Sequence, residues 1–180
     1  MLIYEDKVPL AYRQAFVAKV KQVCSRLGID PNWLMAIMYF ESARTFSPSI
    51  TNSIGATGLI QFMPSTAIGL GTTTAALRQM TAVQQLDWVE KYYKQNYKYL
   101  KISAAASYVD TYLITFFPAA VNKGLDFVIQ TKNLSAALIA KQNPIFDTNK
   151  DGKITVREVQ DVMLKKLPGE WATIFSQKKK

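Results

Sequence analysis

The sequence predicts a mainly α-helical chain. Three observations carry that expectation. Apolar residues recur at three- and four-residue intervals, helix-start residues stand ahead of several such runs, and Gly or Pro follows them. Strand-like alternation is scarce, and no internal repeat is visible.

The first helix is expected near Leu10 to Leu27, with Phe16, Val20, Val23, Cys24 and Leu27 along one stripe. Gly28 follows it, suited to the left-handed residue that ends a helix. Cys24 on that stripe reads as a small buried hydrophobe, and a lone thiol cannot form an internal disulfide. Asp30-Pro31 opens the next helix, Asp as N-cap and Pro in the first turn. Leu34, Ile37, Met38 and Glu41 then fall on one face. A long loop follows, and Pro64 starts a short helix through Ser65, Thr66 and Ala67. Thr81 and Gln84 form a capping box for a helix to about Tyr99, with Leu86, Val89 and Tyr93 inward. Its Tyr92, Tyr93, Tyr97 and Tyr99 read as core and rim residues of that helix. Another helix is expected over Ser103 to Phe117, stopped or kinked by Pro118. Near the C-terminus, helices are expected over Leu134 to Gln142 and Val156 to Leu167.

Two stretches carry chemistry. Glu41 continues an apolar stripe, where burial disfavours the charged form of a carboxyl and is expected to raise its pKa. A glutamic acid still protonated near neutral pH can donate to a glycosidic oxygen. Fourteen residues later the chain reads Gly55-Ala56-Thr57-Gly58-Leu59-Ile60-Gln61-Phe62-Met63-Pro64-Ser65-Thr66-Ala67. Gly55 and Gly58 let the backbone turn tightly and approach a ligand closely. Gln61 offers an amide donor and acceptor suited to sugar N-acetyl and hydroxyl groups. Phe62 and Met63 are expected to supply an apolar floor for a pyranose ring.

The Glu41-Ser42 pair, the thirteen-residue string and the spacing between them resemble the soluble lytic transglycosylase family, lysozyme-like enzymes that cut peptidoglycan. The resemblance covers roughly residues 9 to 125. It implies a goose-type lysozyme-like helical domain in which Glu41 is the sole acid and base. It further implies that Ser42 orients Glu41, and that Gly58, Gln61, Phe62 and Met63 meet the glycan. The family also carries a tyrosine within an Ala-Tyr-Asn-Ala-Gly stretch on a later helix. Tyr112 fits that tyrosine, but here the chain continues Leu113-Ile114-Thr115 and the Asn-Ala-Gly is absent. That departure resembles a branch carried by bacteriophages.

The family's course with one acid is substrate-assisted and ends in a 1,6-anhydromuramic product without consuming water. A hydrolytic lysozyme would need a second carboxylate. Asp87 and Glu90 read as a solvated helix face, and Asp110 as pointing away from Tyr112. Hydrolysis and a non-catalytic wall-binding or virion role of the same fold are the alternatives.

Asp147-Thr148-Asn149-Lys150-Asp151-Gly152-Lys153-Ile154-Thr155-Val156-Arg157-Glu158 matches the twelve-residue EF-hand calcium loop position by position. Asp147, Asn149 and Asp151 supply side-chain oxygens, Lys153 its carbonyl, Thr155 a hydroxyl or bridging water, and Glu158 a bidentate carboxylate. Gly152 makes the sharp turn, and Phe146 and Ile154 are the apolar supports. Thr155 and Glu158 equally form a capping box, which any helix start can use. Ca²⁺ is expected as a structural ion, with no cofactor needed for the chemistry. Residues 1–133 are therefore expected to hold the lysozyme-like domain, and 134–180 the calcium-binding helix–loop–helix and the Lys178-Lys179-Lys180 tail.

Composition bounds the partners. The chain of 180 residues is 49% apolar, enough for a core, and its net charge of +9 favours anionic partners. Zero histidines exclude His-based triads and His-ligated zinc. Peptidoglycan glycan strands are the expected partner, and phage virion or tail proteins are candidates. Nucleic acid is not expected, since no clustered Arg/Lys stripe or recognition motif is present. No run approaches a membrane span, and Met1 to Asp6 lacks the apolar core of a signal peptide. Action on the cell wall is expected to follow delivery by a phage particle or release through a holin pore.

Overall fold

The computed structural model describes residues 1–176; the Lys178–Lys180 tail lies outside the described residues. The described residues form nine α-helices and only isolated β-bridges, as a mainly α chain requires. The described residues form two compact units, the first over residues 1–104 and the second from Ala105 onward. This structural division differs from the functional boundary expected between 133 and 134. It falls earlier because the helix after Ser107 packs with the C-terminal helices.

In the first unit, α1 (Arg13–Leu27) buries Phe16, Val17, Val20, Val23, Cys24 and Leu27. Gly28 ends it in left-handed backbone at φ 67°, as expected. The helix begins three residues later than anticipated, because Leu10 is exposed and Tyr12 takes a non-helical conformation. Cys24 is 1% exposed, and burial holds its thiol well above the ordinary range. Asp30 caps α2 (Pro31–Glu41), accepting the Asn32 N–H at 2.8 Å. Every residue from Trp33 to Met38 is buried, so α2 is enclosed on all sides.

Two short helices, α3 (Pro64–Gly69) and α4 (Thr74–Gln79), follow the motif loop. α4 has no long apolar period to reveal it, and Thr73 caps it by accepting from Ala76. The Thr81–Gln84 capping box opens α5 (Ala82–Leu100), the longest helix. α5 lies against α1, with Leu86, Val89, Tyr93 and Tyr97 buried.

Glu90 corrects the expectation of a solvated face. It is 9% exposed and receives both Arg26 Nε at 2.9 Å and Arg26 Nη2 at 2.7 Å, with Lys94 Nζ at 2.7 Å. Arg26's hydrogen bonds, opposed by burial and reinforced by Lys94, hold the Glu90 carboxyl down at about 2. Asp87, one turn earlier, is exposed and pairs with Lys19.

In the second unit, Ser107 caps α6 (Tyr108–Phe116) by accepting the Asp110 N–H at 3.0 Å. That cap places the helix start five residues after the expected Ser103. Asp110 itself accepts the Ser107 hydroxyl at 2.8 Å, so it serves the cap. A single 3-10 turn at Pro118–Ala120 follows, then α7 (Ala136–Gln142), α8 (Val156–Lys165) and α9 (Trp171–Ser176). Residues 125–129 run beside the start of α8. Ile129 N–H donates to Ile154 O at 2.8 Å, Val156 N–H to Phe127 O at 3.1 Å, and Arg157 N–H to Leu125 O at 2.8 Å. No helix among the described residues is long and apolar enough to cross a membrane.

Candidate active site

α2 ends at Glu41, and the sequence beyond it explains why. Ala43, Arg44 and Phe46 adopt positive φ of 50°, 67° and 52°, a run of left-handed non-glycine residues that costs free energy at each position. Local hydrogen bonds hold it. The Ser42 hydroxyl, fully buried, accepts the Phe46 N–H at 2.9 Å, and Arg44 N–H donates to Tyr39 O at 2.7 Å. Thr45 Oγ1 donates to Ser42 O at 2.6 Å. Phe46 is driven fully into the core, its ring 5.6 Å from Phe16 and 5.4 Å from Tyr39. Ser42 therefore pins the turn directly behind Glu41, which is half-buried on the last turn of α2.

The motif loop is closed on itself. Thr57 and Phe62 exchange both backbone hydrogen bonds, at 3.0 and 2.8 Å, around Gly58 to Gln61. Asn52 Oδ1 accepts from Ile54 and Ala56, each at 3.0 Å, and so braces the approach to Gly58. Gln61 sits at φ 52°, another left-handed non-glycine residue in the same short loop. Its Nε2 donates to Gly58 O at 3.2 Å and Ile50 O at 3.3 Å. Both neighbours are carbonyls, so the NH₂ must face them and Oε1 is left as the acceptor end.

Phe62 and Met63 part company. Phe62 is 2% exposed and belongs to the core, its ring edge-on to Tyr92 at 6.1 Å. Met63 is 40% exposed at the mouth of α3. Of the expected apolar floor, Met63 is the part open to a ligand and Phe62 the part beneath it.

Tyr92, one more helix aromatic by its spacing, packs against the motif loop and feels the charge of Glu41. Burial pushes its phenol well above the ordinary range; a hydrogen bond from Asn96 opposes this, and the charge of Glu41 adds to it. The same ring touches Phe62. A tyrosine at helical spacing gives no sign of this, because the ring contact comes from the motif loop and the charge from the end of α2.

Tyr112 lies in the second unit, 1% exposed on α6. Its ring stands 5.9 Å from Phe116 and 5.8 Å from Phe146. The calcium-type loop is in that unit as well. Asp147 accepts the N–H groups of Asp151 and Gly152, each at 3.1 Å; Asn149 accepts Asp151 N–H at 2.9 Å; Asp151 accepts Lys153 N–H at 2.9 Å. Gly152 makes the sharp turn at φ 78°, and Ile154 is fully buried.

Glu158 reaches across the loop, accepting from the Thr148 N–H and hydroxyl and from those of Thr155, all between 2.9 and 3.1 Å. Burial pushes its carboxyl up, but these hydrogen bonds outweigh that and leave it below the usual glutamate range. Among the described residues, no three or more His, Cys, Asp or Glu side chains are gathered closely enough to hold a metal. Each acidic group is instead turned toward loop donors.

The family model of the Transglycosylase SLT domain matches residues 19–111, just over half of the chain. No curated protein and no solved structure matches it. The match runs from the middle of α1 through its Gly28 end, the α2 helix carrying Glu41-Ser42, the glycine loop and α5 to the first residues of α6. The chain thus belongs to the transglycosylase SLT domain family, whose domain acts on the peptidoglycan of the cell wall.

Proposed function

We propose that the protein cleaves the β-1,4 bond between N-acetylmuramic acid and N-acetylglucosamine, with Glu41 as its single acid and base. The observation that carries this is the state of the other acids from Asp30 to Asp110. Glu90 is locked between Arg26 and Lys94, Asp87 pairs with Lys19 in solvent, and Asp30 and Asp110 serve helix caps. None of these four stands free as the second carboxylate of a hydrolytic route, which favours the route through the substrate's own groups. Glu41 donates its proton to the leaving glycosidic oxygen as the C1–O bond breaks, and the 2-acetamido group stabilises the sugar cation. The Glu41 carboxylate then takes the proton of the C6 hydroxyl as that oxygen bonds to C1, closing a 1,6-anhydro ring. Atoms balance without water, and Glu41 returns protonated.

The acceptor end of Gln61 suits a donor on the glycan, either an acetamido N–H or a hydroxyl. Exposed Met63 suits a pyranose face. Ser42 serves Glu41 by fixing where α2 ends; a glycan-binding role for Tyr112 rests on the family resemblance alone, since its side chain is buried against Phe116 and Phe146. Delivery by a phage particle, with virion or tail proteins as partners, remains part of this reading through the departure from Asn-Ala-Gly after Tyr112.

Digestion of purified peptidoglycan by the protein and by Glu41→Gln, with products read by mass spectrometry, tests it. Anhydro-ended muropeptides, one water lighter than hydrolysed ones and absent with the variant, are expected. Hydrated reducing ends would make the enzyme a lysozyme. No release by the folded wild type would leave a wall-binding scaffold.

The loop from Asp147 to Glu158 is proposed to hold Ca²⁺ as a structural ion. Its donors are hard oxygens at the required sequence positions. The Asp147 and Asp151 oxygens that accept one loop N–H keep a further lone pair, while Glu158, whose two oxygens each accept two donors from Thr148 and Thr155, must exchange some of these for the ion. Lys150 and Lys153 weaken the attraction, while Arg157 is drawn to Asp126 at 2.8 Å. The affinity is therefore expected to suit millimolar calcium. Calorimetric titration with Ca²⁺ and a melting curve with chelator test this; heat without saturation and an unchanged Tm would exclude a bound structural ion.

A further inference from the structure

We propose that Gln85, on the first turns of α5, is a positioning residue for glycan binding: its buried amide sets the shape of the Gly58–Met63 loop and, through it, the orientation of Gln61. The proposal rests on the glycan-binding reading above and adds a residue to it.

Gln85 is fully buried, and its amide is used on both sides. Oε1 accepts the Leu59 N–H at 2.7 Å. Nε2 donates to Pro48 O at 2.9 Å and to Leu77 O at 3.1 Å. Those three partners belong to three segments: the strand of loop entering the site, the bend of the motif, and the last turn of α4. A single side chain thus ties the two limbs of the loop to each other and to a helix. A buried amide is tolerated in a core only when its hydrogen bonds are made, so the three bonds hold together or fail together.

Gly58 has a reason beyond its φ of 85°. A Cβ there would stand 2.6 Å from Gln85 Nε2 and 2.7 Å from Cδ, and closer still to Oε1. The amide occupies the space that any other residue at 58 would need. It cannot swing aside without releasing Leu59, Pro48 and Leu77. Gly58 in turn donates its N–H to Ile50 O at 2.8 Å, and its carbonyl accepts both the Gln61 N–H and Gln61 Nε2, each at 3.2 Å. The chain of contacts runs from the Gln85 amide to the Gly58-Leu59 backbone, and from there to the Gln61 side chain. Gln85 touches no ligand; it acts through Gln61.

The test uses the full chain and a soluble tetrasaccharide of alternating N-acetylglucosamine and N-acetylmuramic acid. Gln85→Met keeps the volume and removes the amide. Gln85→Glu keeps an acceptor for Leu59 but, ionised, faces the carbonyls of Pro48 and Leu77 with no donor. Gly58→Ala disturbs the same contact from the loop side with Gln85 intact, which matters if the core variants fail to fold.

For each variant that retains wild-type circular dichroism at the assay temperature, KM is expected to rise by about tenfold, as for the loss of one or two good hydrogen bonds. kcat should change by a smaller factor. In a Glu41→Gln background, Kd for the tetrasaccharide should rise by the same factor as KM. KM and Kd within twofold of wild type in folded variants would overturn the proposal and leave Gln85 as core packing. A fall in kcat with KM and Kd unchanged would also overturn it. If the wild type binds the tetrasaccharide without cleaving it, the cleavage reading fails and the Kd arm still decides Gln85. If it does not bind, the proposal falls with the reading it rests on.

Discussion

Glu90→Gln is expected to weaken the protein by about 2–3 kcal/mol at neutral pH, a penalty that should disappear in strong acid. Glu90 joins α5 to α1 through Arg26 and is nearly buried, so its ionised form matters to folding. Its pKa falls from an ordinary 4.5 to about 2 in the native protein. At about 1.4 kcal/mol per unit this is a ceiling near 3 kcal/mol. Arg26 and Lys94 are 45% and 54% exposed, so water recovers part of what they lose.

The sign follows from the depressed native pKa. The contribution is fully present above pH 4.5 and is lost as pH falls through about 2, with roughly half gone near pH 3. Urea denaturation of wild type and variant at pH 7, 5, 3 and 2, followed by circular dichroism and tryptophan fluorescence, reads this directly. A difference below about 0.5 kcal/mol at pH 7 would refute the clamp, since that is the scatter of ordinary surface changes. A penalty unchanged at pH 2 would show that the loss is packing rather than charge.

Ser42→Ala leaves the Phe46 N–H without its partner in a buried turn and should cost about 1–2 kcal/mol in urea unfolding. Turnover on peptidoglycan should fall with it, since the turn sits directly behind Glu41; full activity would detach the turn from catalysis. Phe62→Ala empties a core position and should destabilise by about 3–5 kcal/mol. Met63→Ala, at an exposed position, should stay within about 0.5 kcal/mol while weakening glycan binding by calorimetry. Equal stability losses at the two neighbours would contradict their assigned sides of the loop.

Local signals in the sequence were good guides wherever the physics is local. Asp30 and Thr81 cap the helices expected of them, and Gly28 ends α1, because caps are satisfied within three or four residues of chain. Ser107 displaced the start of α6 from Ser103 for the same kind of reason; several serines and threonines offered themselves, and the hydrogen bond to Asp110 N–H selected one. α4 carries too short an apolar pattern to be heard. Glu90 was misjudged, because a carboxylate on an outward-looking helix face gives no hint that another helix will bring Arg26 to it.

By itself, the sequence determined that the chain is mainly helical, where most helices begin and stop, and that residues 19–111 carry an SLT domain. Those features depend on helical periodicity, on capping and on a motif contiguous in the chain. Only the tertiary structure decided that Phe62 faces the core while Met63 faces out, that Tyr92 packs on Phe62 of the loop, and that the Gln85 amide fills the space Gly58 leaves open. Each of these depends on segments far apart in sequence meeting at a few ångströms. Spacing along one helix says which residues share a face, but not what will be packed against it.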